Sequence, residues 1–325
     1  MDPIKKNKLG ATGFAVSEIG LGAWAMGNKG YGTVAKDDGT RTVHEYLEAG
    51  GNLIDTAPIY GGSEGLLGEI LGRSALREKV FLCTKTKMGD TPETVPKIRT
   101  ACEESLRLLR SDYIDIYYLH TPPEDDDTIA RTFDELEALK REGKIRAIGA
   151  SIKAAAVTAD TVKLCHRYIE TGRVDVIQVA YSILRQANAE VFPKAHAANV
   201  GIVARTAIES GFLSGKYRPG HVFTSGHRIR WSKNTLAKIF SLTDDLSRWA
   251  IRPPYQSLPE LAIRFSLAPK EVSSLLVGAS SPEQLRKNLA TLSLPSLDPA
   301  IIERLQREFA GRTDEFNPTE QGWQH

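Results

Sequence analysis

Residues 52–65 read NLIDTAPIYGGSEG: a short apolar run closed by Asp55, then a turn that carries Tyr60. Residues 79–85, KVFLCTK, and 114–120, IDIYYLH, repeat the pattern and close on Lys85 and His120. Short apolar runs bounded by polar or turn residues read as buried strands. In a parallel barrel the ends of successive strands converge on one mouth, so polar residues placed there meet although they lie far apart in sequence. A carboxylate, a phenol, an ammonium and an imidazole would then share one site.

The same reading extends along the chain. Strand-like runs fall at Val16 to Leu21, Asn52 to Asp55, Val80 to Thr84, Ile114 to Leu119, Ile145 to Gly149, Val174 to Val179, Gly201 to Ala204 and Ser274 to Val277. Helix-period stretches lie between them, among them PETVPKIRTACEESLRLLR (92–110) and TIARTFDELEALKREGK (128–144). Alternating strand and helix argues a parallel sheet, and about eight repeats favour closure over an open sheet. The opening IKKNKLGATGFAVSEIG (4–20) reads as a hairpin, and residues 218–256 form a long irregular insertion with room for one helix. The expected architecture is α/β, a (β/α)8 TIM barrel with an N-terminal β-hairpin and a long insertion after strand 7, as one domain over residues 1–325.

Composition narrows the class without naming it. A chain of 325 residues, 41% hydrophobic and 25% charged, fits a globular protein, and barrels commonly exceed the usual single-domain length. A net charge of +2 is too small to argue for nucleic acid or a membrane surface. The N-terminus MDPIKKNKLG has no signal-like apolar stretch and no run approaches a bilayer span, so a cytoplasmic location is expected. Cys83, Cys102 and Cys165 are odd in number and widely spaced, which suggests neither a disulfide framework nor a zinc site; no metal is expected. Gly20, Gly22 and Ala25 spell G-x-G-x-x-A, but MGNKGYGTVAKDDG (26–39) beyond them lacks the helical periodicity that a dinucleotide fingerprint needs.

The chemistry of the four residues suits carbonyl reduction. A free tyrosine ionises near pH ~10, and a buried ammonium beside it stabilises the phenolate left when its proton departs. Lys85 supplies that charge, Asp55 holds Lys85, Tyr60 protonates the developing alkoxide, and His120 directs the carbonyl oxygen. Singly, each has a plainer reading: Asp55 as a helix cap, Tyr60 as a turn residue, His120 as a satisfied strand-end imidazole. Lys85 is harder to dismiss, because a lysine ending a buried strand needs a partner.

DTAPIYGGSE (55–64), KVFLCTK, IDIYYLH, EGKIRAIGAS (142–151), VIQVAYS (176–182) and GFLSGKY (211–217) follow one another as they do in aldo-keto reductases. The resemblance covers nearly the whole chain. It implies a barrel that binds a nicotinamide cofactor without a Rossmann domain, with the hairpin plugging its bottom, Tyr60 as proton donor and Asp55, Lys85 and His120 as its partners. By the same resemblance Ser151 and Gln178 hold the nicotinamide carboxamide, and Arg205 stands against the nicotinamide ring. Gly211, Leu213, Ser214, Gly215 and Lys216 wrap the pyrophosphate. Gly278, Ser280, Gln284 and Asn288, in GASSPEQLRKN (278–288), take the adenosine end.

Two departures bear on the cofactor. Family members often carry Asn directly after the serine of strand 5, whereas Ile152 follows Ser151 here, so a carboxamide contact at that position is not carried over. Many NADP-using members place a cation where this chain has Ser280 or Ser281. The insertion offers cations of its own, Arg218, Arg228, Arg230 and Lys233, either to close over anionic groups or as a solvated loop. NADP(H) is expected on family grounds, with NAD(H) as the alternative.

Trp24 and Trp231 are candidate walls of a substrate pocket for a small carbonyl compound or sugar, with Met26, Ile59 and Trp323 as weaker ones. Oligomeric state is not indicated. The rival readings are a sugar or polyol dehydrogenase using the same residues in reverse, a non-catalytic nicotinamide-binding regulator, and a lyase forming a Schiff base on Lys85.

Overall fold

The chain opens with an antiparallel hairpin, β1 (Lys6–Lys8) against β2 (Ala15–Ser17), and then enters the barrel at β3 (Ile19–Gly22). The computed structural model describes residues 3–27, 34–72, 74–87, 95–152 and 156–318; Trp323 and part of the glycine-rich stretch after Met26 lie outside them. Strand and helix alternate from there: α1 (Lys36–Glu48), β4 (Leu53–Asp55), α2 (Ser63–Leu71), β5 (Phe81–Lys87), α3 (Lys97–Leu109), β6 (Ile114–His120), α4 (Asp126–Arg141), β7 (Ile145–Ser151), α5 (Ala159–Glu170), β8 (Val176–Ala180), α6 (Phe192–Ala197) and β9 (Gly201–Arg205). The insertion helix α7 (Lys233–Ala250) follows, then α8 (Leu258–Ser266), β10 (Val272–Gly278), α9 (Pro282–Ala290) and α10 (Pro299–Phe309). Eight parallel strands close in the order β10-β3-β4-β5-β6-β7-β8-β9. This is the (β/α)8 barrel with N-terminal hairpin and insertion after the seventh strand that the alternation predicts.

The helix α4 illustrates how sequence sets the elements. Asp125 caps it by accepting the Thr128 N–H at 2.8 Å, and Ile129, Phe133, Leu136 and Leu139 line its buried face at helical spacing. Gly143, at φ +76°, ends it, letting the Lys144 N–H reach back to the Leu139 carbonyl at 3.0 Å.

The run Val16 to Leu21 is two strands rather than one. The break falls at Glu18, whose N–H donates to the Lys5 carbonyl in the hairpin while its own carbonyl accepts from Leu275 of β10. One residue thus serves both sheets. The hairpin side chains Leu9, Phe14 and Val16 pack with Leu53, Cys83, Ile116, Tyr118, Val176 and Val203 from the barrel interior, at the end away from His120 and Ser151. Gly10 permits this approach: it lies at φ +51°, and a Cβ there would sit 2.4 Å from the Gly201 nitrogen. Leu9 is fully buried, so Leu9→Ala is expected to cost about 2–5 kcal/mol of stability, read from the urea midpoint. An unchanged midpoint would mean that the barrel closes without its plug.

The insertion holds the one helix for which its sequence leaves room. The 18-residue α7 is capped by Ser232, which accepts the Thr235 N–H at 3.1 Å, and buries Leu236, Ile239, Phe240, Thr243, Leu246 and Ala250. Among the described residues no helix is long and apolar enough to cross a membrane.

Candidate active site

Asp55, His120, Ser151, Arg205 and Gly278 are each the last residue of a barrel strand, and Lys85 and Gln178 lie near the ends of β5 and β8. Register brings them level: His120 is paired with Ser151, and Ser151 with Gln178. Tyr60 follows β4 on a single 3-10 turn, Pro58–Tyr60, and is turned inward and buried.

A hydrogen-bonded chain runs across this end. Lys85 Nζ donates to Asp55 Oδ1 at 2.5 Å and to the Thr56 carbonyl at 2.9 Å. Gln178 Nε2 donates to Asp55 Oδ2 at 2.9 Å, and Ser151 Oγ donates to Gln178 Oε1 at 3.1 Å. Both Asp55 oxygens are therefore engaged, one by an ammonium and one by an amide. Burial of Lys85, whose side chain is 0% exposed, pulls its ammonium down, but the Asp55 carboxylate and the Tyr60 oxygen beside it hold it above the ordinary lysine value. An amine so held is not the free nucleophile that a Schiff base needs.

Tyr60 is surrounded by rings and charge. Lys85 Nζ lies 5.0 Å from its ring centroid and also hydrogen-bonds to it. The His120 ring meets it edge-on at 6.3 Å, and Trp24 stacks on it at 5.4 Å with planes 15° apart. His227, buried and delivered by the insertion, lies 5.3 Å from Trp24. The sequence reading missed His227; only the fold joins residues so far apart in the chain. Trp231 sits one ring further out, 6.2 Å from His227 and 5.1 Å from Phe212, with its indole N–H donating to the Phe316 carbonyl at 2.9 Å. Trp24 is thus a wall beside Tyr60, while Trp231 anchors the insertion.

The loop after β9 is strained in a regular way. Glu209, Ser210 and Gly211 have φ of 47°, 55° and 88°, a left-handed run that costs on the order of 1 kcal/mol at each non-glycine residue. Arg228 of the insertion donates from Nε to the Ser210 carbonyl at 2.8 Å. It does not stand out over the mouth as a free cation. Leu213 is buried and its N–H donates to the Ile208 carbonyl at 3.2 Å, so its side chain packs rather than facing a ligand. Ser214 is half-buried, Gly215 is left-handed at φ 72°, and Lys216 is exposed.

Arg205 donates from Nη2 to the Ile152 carbonyl at 2.8 Å, while its Nε is buried without a partner among the described residues. Burial holds its guanidinium below the ordinary arginine value. At the start of α9, Gln284 Oε1 accepts the Ser280 N–H at 3.0 Å, Ser281 Oγ accepts the Gln284 N–H at 3.3 Å, and Asn288 Nδ2 donates to the Gly278 carbonyl at 3.2 Å. The Arg205 Nε, buried without a partner among the described residues, the Gln178 amide and Ser151 hydroxyl at their strand ends, and the left-handed loop after β9 place polar groups and small residues at the end of the barrel that carries Tyr60. These donors and small residues fit a dinucleotide.

G-x-G-x-x-A is part of the barrel. Gly20 and Gly22 lie on β3, and a 3-10 turn, Ala23–Gly27, follows in place of a phosphate-facing helix.

Residues 18–307 match the model of the aldo/keto reductase family. The chain is 34% identical to the NADH-specific methylglyoxal reductase of Escherichia coli, across 94% of this chain and 98% of that protein. It is 31% identical to the L-galactose dehydrogenase of Arabidopsis thaliana, across 90% and 89%. Among solved structures, the holo form of an aldo-keto reductase from Bacillus halodurans superposes with a TM-score of 0.74 at 28% identity, and the glycerol dehydrogenase of Gluconobacter oxydans with 0.75 at 26%; each comparison covers 99% of both chains. With the barrel, the strand-end cluster and a family match over most of its length, this chain belongs to the aldo/keto reductase family, nicotinamide-dependent oxidoreductases acting between carbonyl and alcohol.

Proposed function

We propose that this protein reduces an aldehyde or ketone to an alcohol, with Tyr60 as proton donor. One observation carries the assignment: Lys85, fixed by both Asp55 and the Thr56 carbonyl, faces the Tyr60 ring at 5.0 Å. The nicotinamide cofactor, when bound, supplies hydride to the carbonyl carbon. As negative charge grows on the carbonyl oxygen, Tyr60 gives up its hydroxyl proton to it, and the Lys85 ammonium stabilises the phenolate that remains. Asp55 keeps that ammonium charged and in place. His120, edge-on to Tyr60, orients the same oxygen.

Ser151, Gln178 and Arg205 would hold the nicotinamide end, and Gly211, Ser214, Gly215 and Lys216 the pyrophosphate. Gly278, Ser280, Gln284 and Asn288 would take the adenosine end. None of these last four is a cation, Glu283 heads α9, and Lys287 nearby is paired with Glu283 at 2.7 Å. Together with the relative named as NADH-specific, this favours NAD(H), against the NADP(H) expected from the family at large. Trp24 lying flat on Tyr60, with His227 behind it, favours a short substrate. Relatives named for methylglyoxal, L-galactose and glycerol support a small oxygenated compound. Two of those names are dehydrogenases, which supports oxidation as the second reading, with Tyr60 accepting the proton. We also infer one functional unit over residues 1–325 and a cytoplasmic location, supported by three buried free thiols.

Fluorescence titration with NADH and NADPH, followed by turnover against short aldehydes, hydroxyketones and sugars, tests the assignment. NADH is expected to bind about tenfold or more tightly than NADPH, since none of the four residues proposed for the adenosine end is a cation to pair with a 2′-phosphate. Binding of neither nucleotide would end the reductase reading. Binding without turnover in either direction would favour a regulator.

A further inference from the structure

Glu209 and Arg185 form an ion pair that the reaction does not require. Both side chains are 2% exposed, Arg185 Nη2 lies 2.8 Å from Glu209 Oε2, and Arg185 Nε donates to Oε1 at 3.0 Å. The Ser182 hydroxyl donates to the same carboxylate. This two-point fork, plus a hydroxyl, is a demanding arrangement for a purely structural contact, because burying two charges gains little over apolar packing.

Its place in the fold gives it a use. Ser182 and Arg185 belong to the loop after β8, the strand that carries Gln178, and are tied to each other: the Arg185 N–H donates to Ser182 Oγ at 3.1 Å. Glu209 is the first residue of the left-handed run Glu209, Ser210, Gly211. Two of those three residues are not glycine, so the turn does not hold its shape by backbone preference. Besides its own backbone bonds, Glu209 N–H to the Thr206 carbonyl and Gly211 N–H to the Ile208 carbonyl, both at 2.9 Å, it is held from outside by Arg185 on the Glu209 carboxylate and by Arg228 on the Ser210 carbonyl. The Arg185 pair ties the loop after β8 to the loop after β9, fixing the turn relative to Gln178.

We infer that Glu209, clamped by Arg185 and Ser182, is a positioning residue that presets the loop after β9 for the dinucleotide. The inference rests on the proposed cofactor role of that loop. Removing the clamp lets the turn relax toward ordinary backbone angles, and the nucleotide must then reorder it on binding.

The test uses the full chain, NADH fluorescence titration and thermal unfolding. Glu209→Gln keeps shape and a hydrogen bond while removing the charge; the double variant Arg185→Met/Glu209→Met removes both charges together, leaving neither unpaired. The double variant is expected to unfold close to the parent temperature yet bind NADH roughly 10- to 100-fold more weakly, with the loss carried by Kd and by KM for the nucleotide more than by kcat. Glu209→Gln should fall between parent and double variant. Unchanged Kd in a folded double variant would overturn the inference and leave the pair a structural contact. A loss confined to kcat would overturn it too. Should the parent bind neither NADH nor NADPH, the cofactor reading itself falls, and this inference with it.

Discussion

Tyr60→Phe is expected to lower kcat/KM for the carbonyl substrate by about 10²- to 10⁴-fold, while NADH affinity stays near the parent value. The substitution removes one oxygen and leaves the ring, so the stacking on Trp24 at 5.4 Å and the edge contact with His120 at 6.3 Å survive. What is lost is the proton that neutralises the alkoxide, a group needed in the transition state and not in the ground state. Stopped-flow hydride transfer with prebound NADH separates that step from binding. A variant that turns over normally would move the proton donor elsewhere; one that fails to fold or to bind NADH would make Tyr60 a packing residue.

Lys85→Met is expected to damage both chemistry and stability. Met has a similar reach but no charge, so the buried Asp55 carboxylate loses the ammonium on Oδ1 and keeps only Gln178 on Oδ2. Stranding a buried charge typically costs 3–5 kcal/mol, so the urea midpoint should fall by about that equivalent, along with turnover by roughly 10²-fold or more. The parent has a matching alkaline weakness. Its Lys85 stands above the ordinary value of 10.5, so the pair's stabilisation is complete below that value and is lost as pH rises through the raised one. Alkaline unfolding above about pH 10.5 should therefore be steeper in the parent than in Lys85→Met. Equal slopes would remove the pair from the list of what holds the barrel mouth together.

The sequence announces the barrel and the strand-end cluster because both are local patterns. Asp55, Lys85 and His120 each close an apolar run, and strand ends meet at one mouth whatever the helices between them contain. Glu18 was not legible, since nothing in AVSEIG marks the residue where a hairpin strand becomes a barrel strand. Helix α7 was legible in principle: Ser232 as cap and Leu236, Ile239, Phe240 and Leu246 at helical spacing spell it out, but the basic, glycine-containing segment before it directs attention to loop chemistry. His227 on Trp24, Arg228 on Ser210 and Arg185 on Glu209 join segments that only tertiary packing brings together. No periodicity encodes them. For the same reason the insertion's cations looked free in the sequence, whereas Arg228 is spent inside the protein.

Asp55 divides its two oxygens between Lys85 and Gln178, so with Gln178 holding the nicotinamide end as proposed, proton chemistry and nucleotide occupancy would be linked functions. A ligand that draws on the Gln178 carboxamide changes how firmly Asp55 holds the ammonium, and by thermodynamic reciprocity the charge state of Lys85 changes the affinity for that ligand by the same factor. Complex formation near the lysine's titration range is then accompanied by net proton exchange with buffer, a quantity that calorimetry in buffers of different ionisation enthalpy measures directly. On the proposed cofactor role of Gln178, one shared carboxylate would turn two neighbouring subsites into a single acid–base equilibrium.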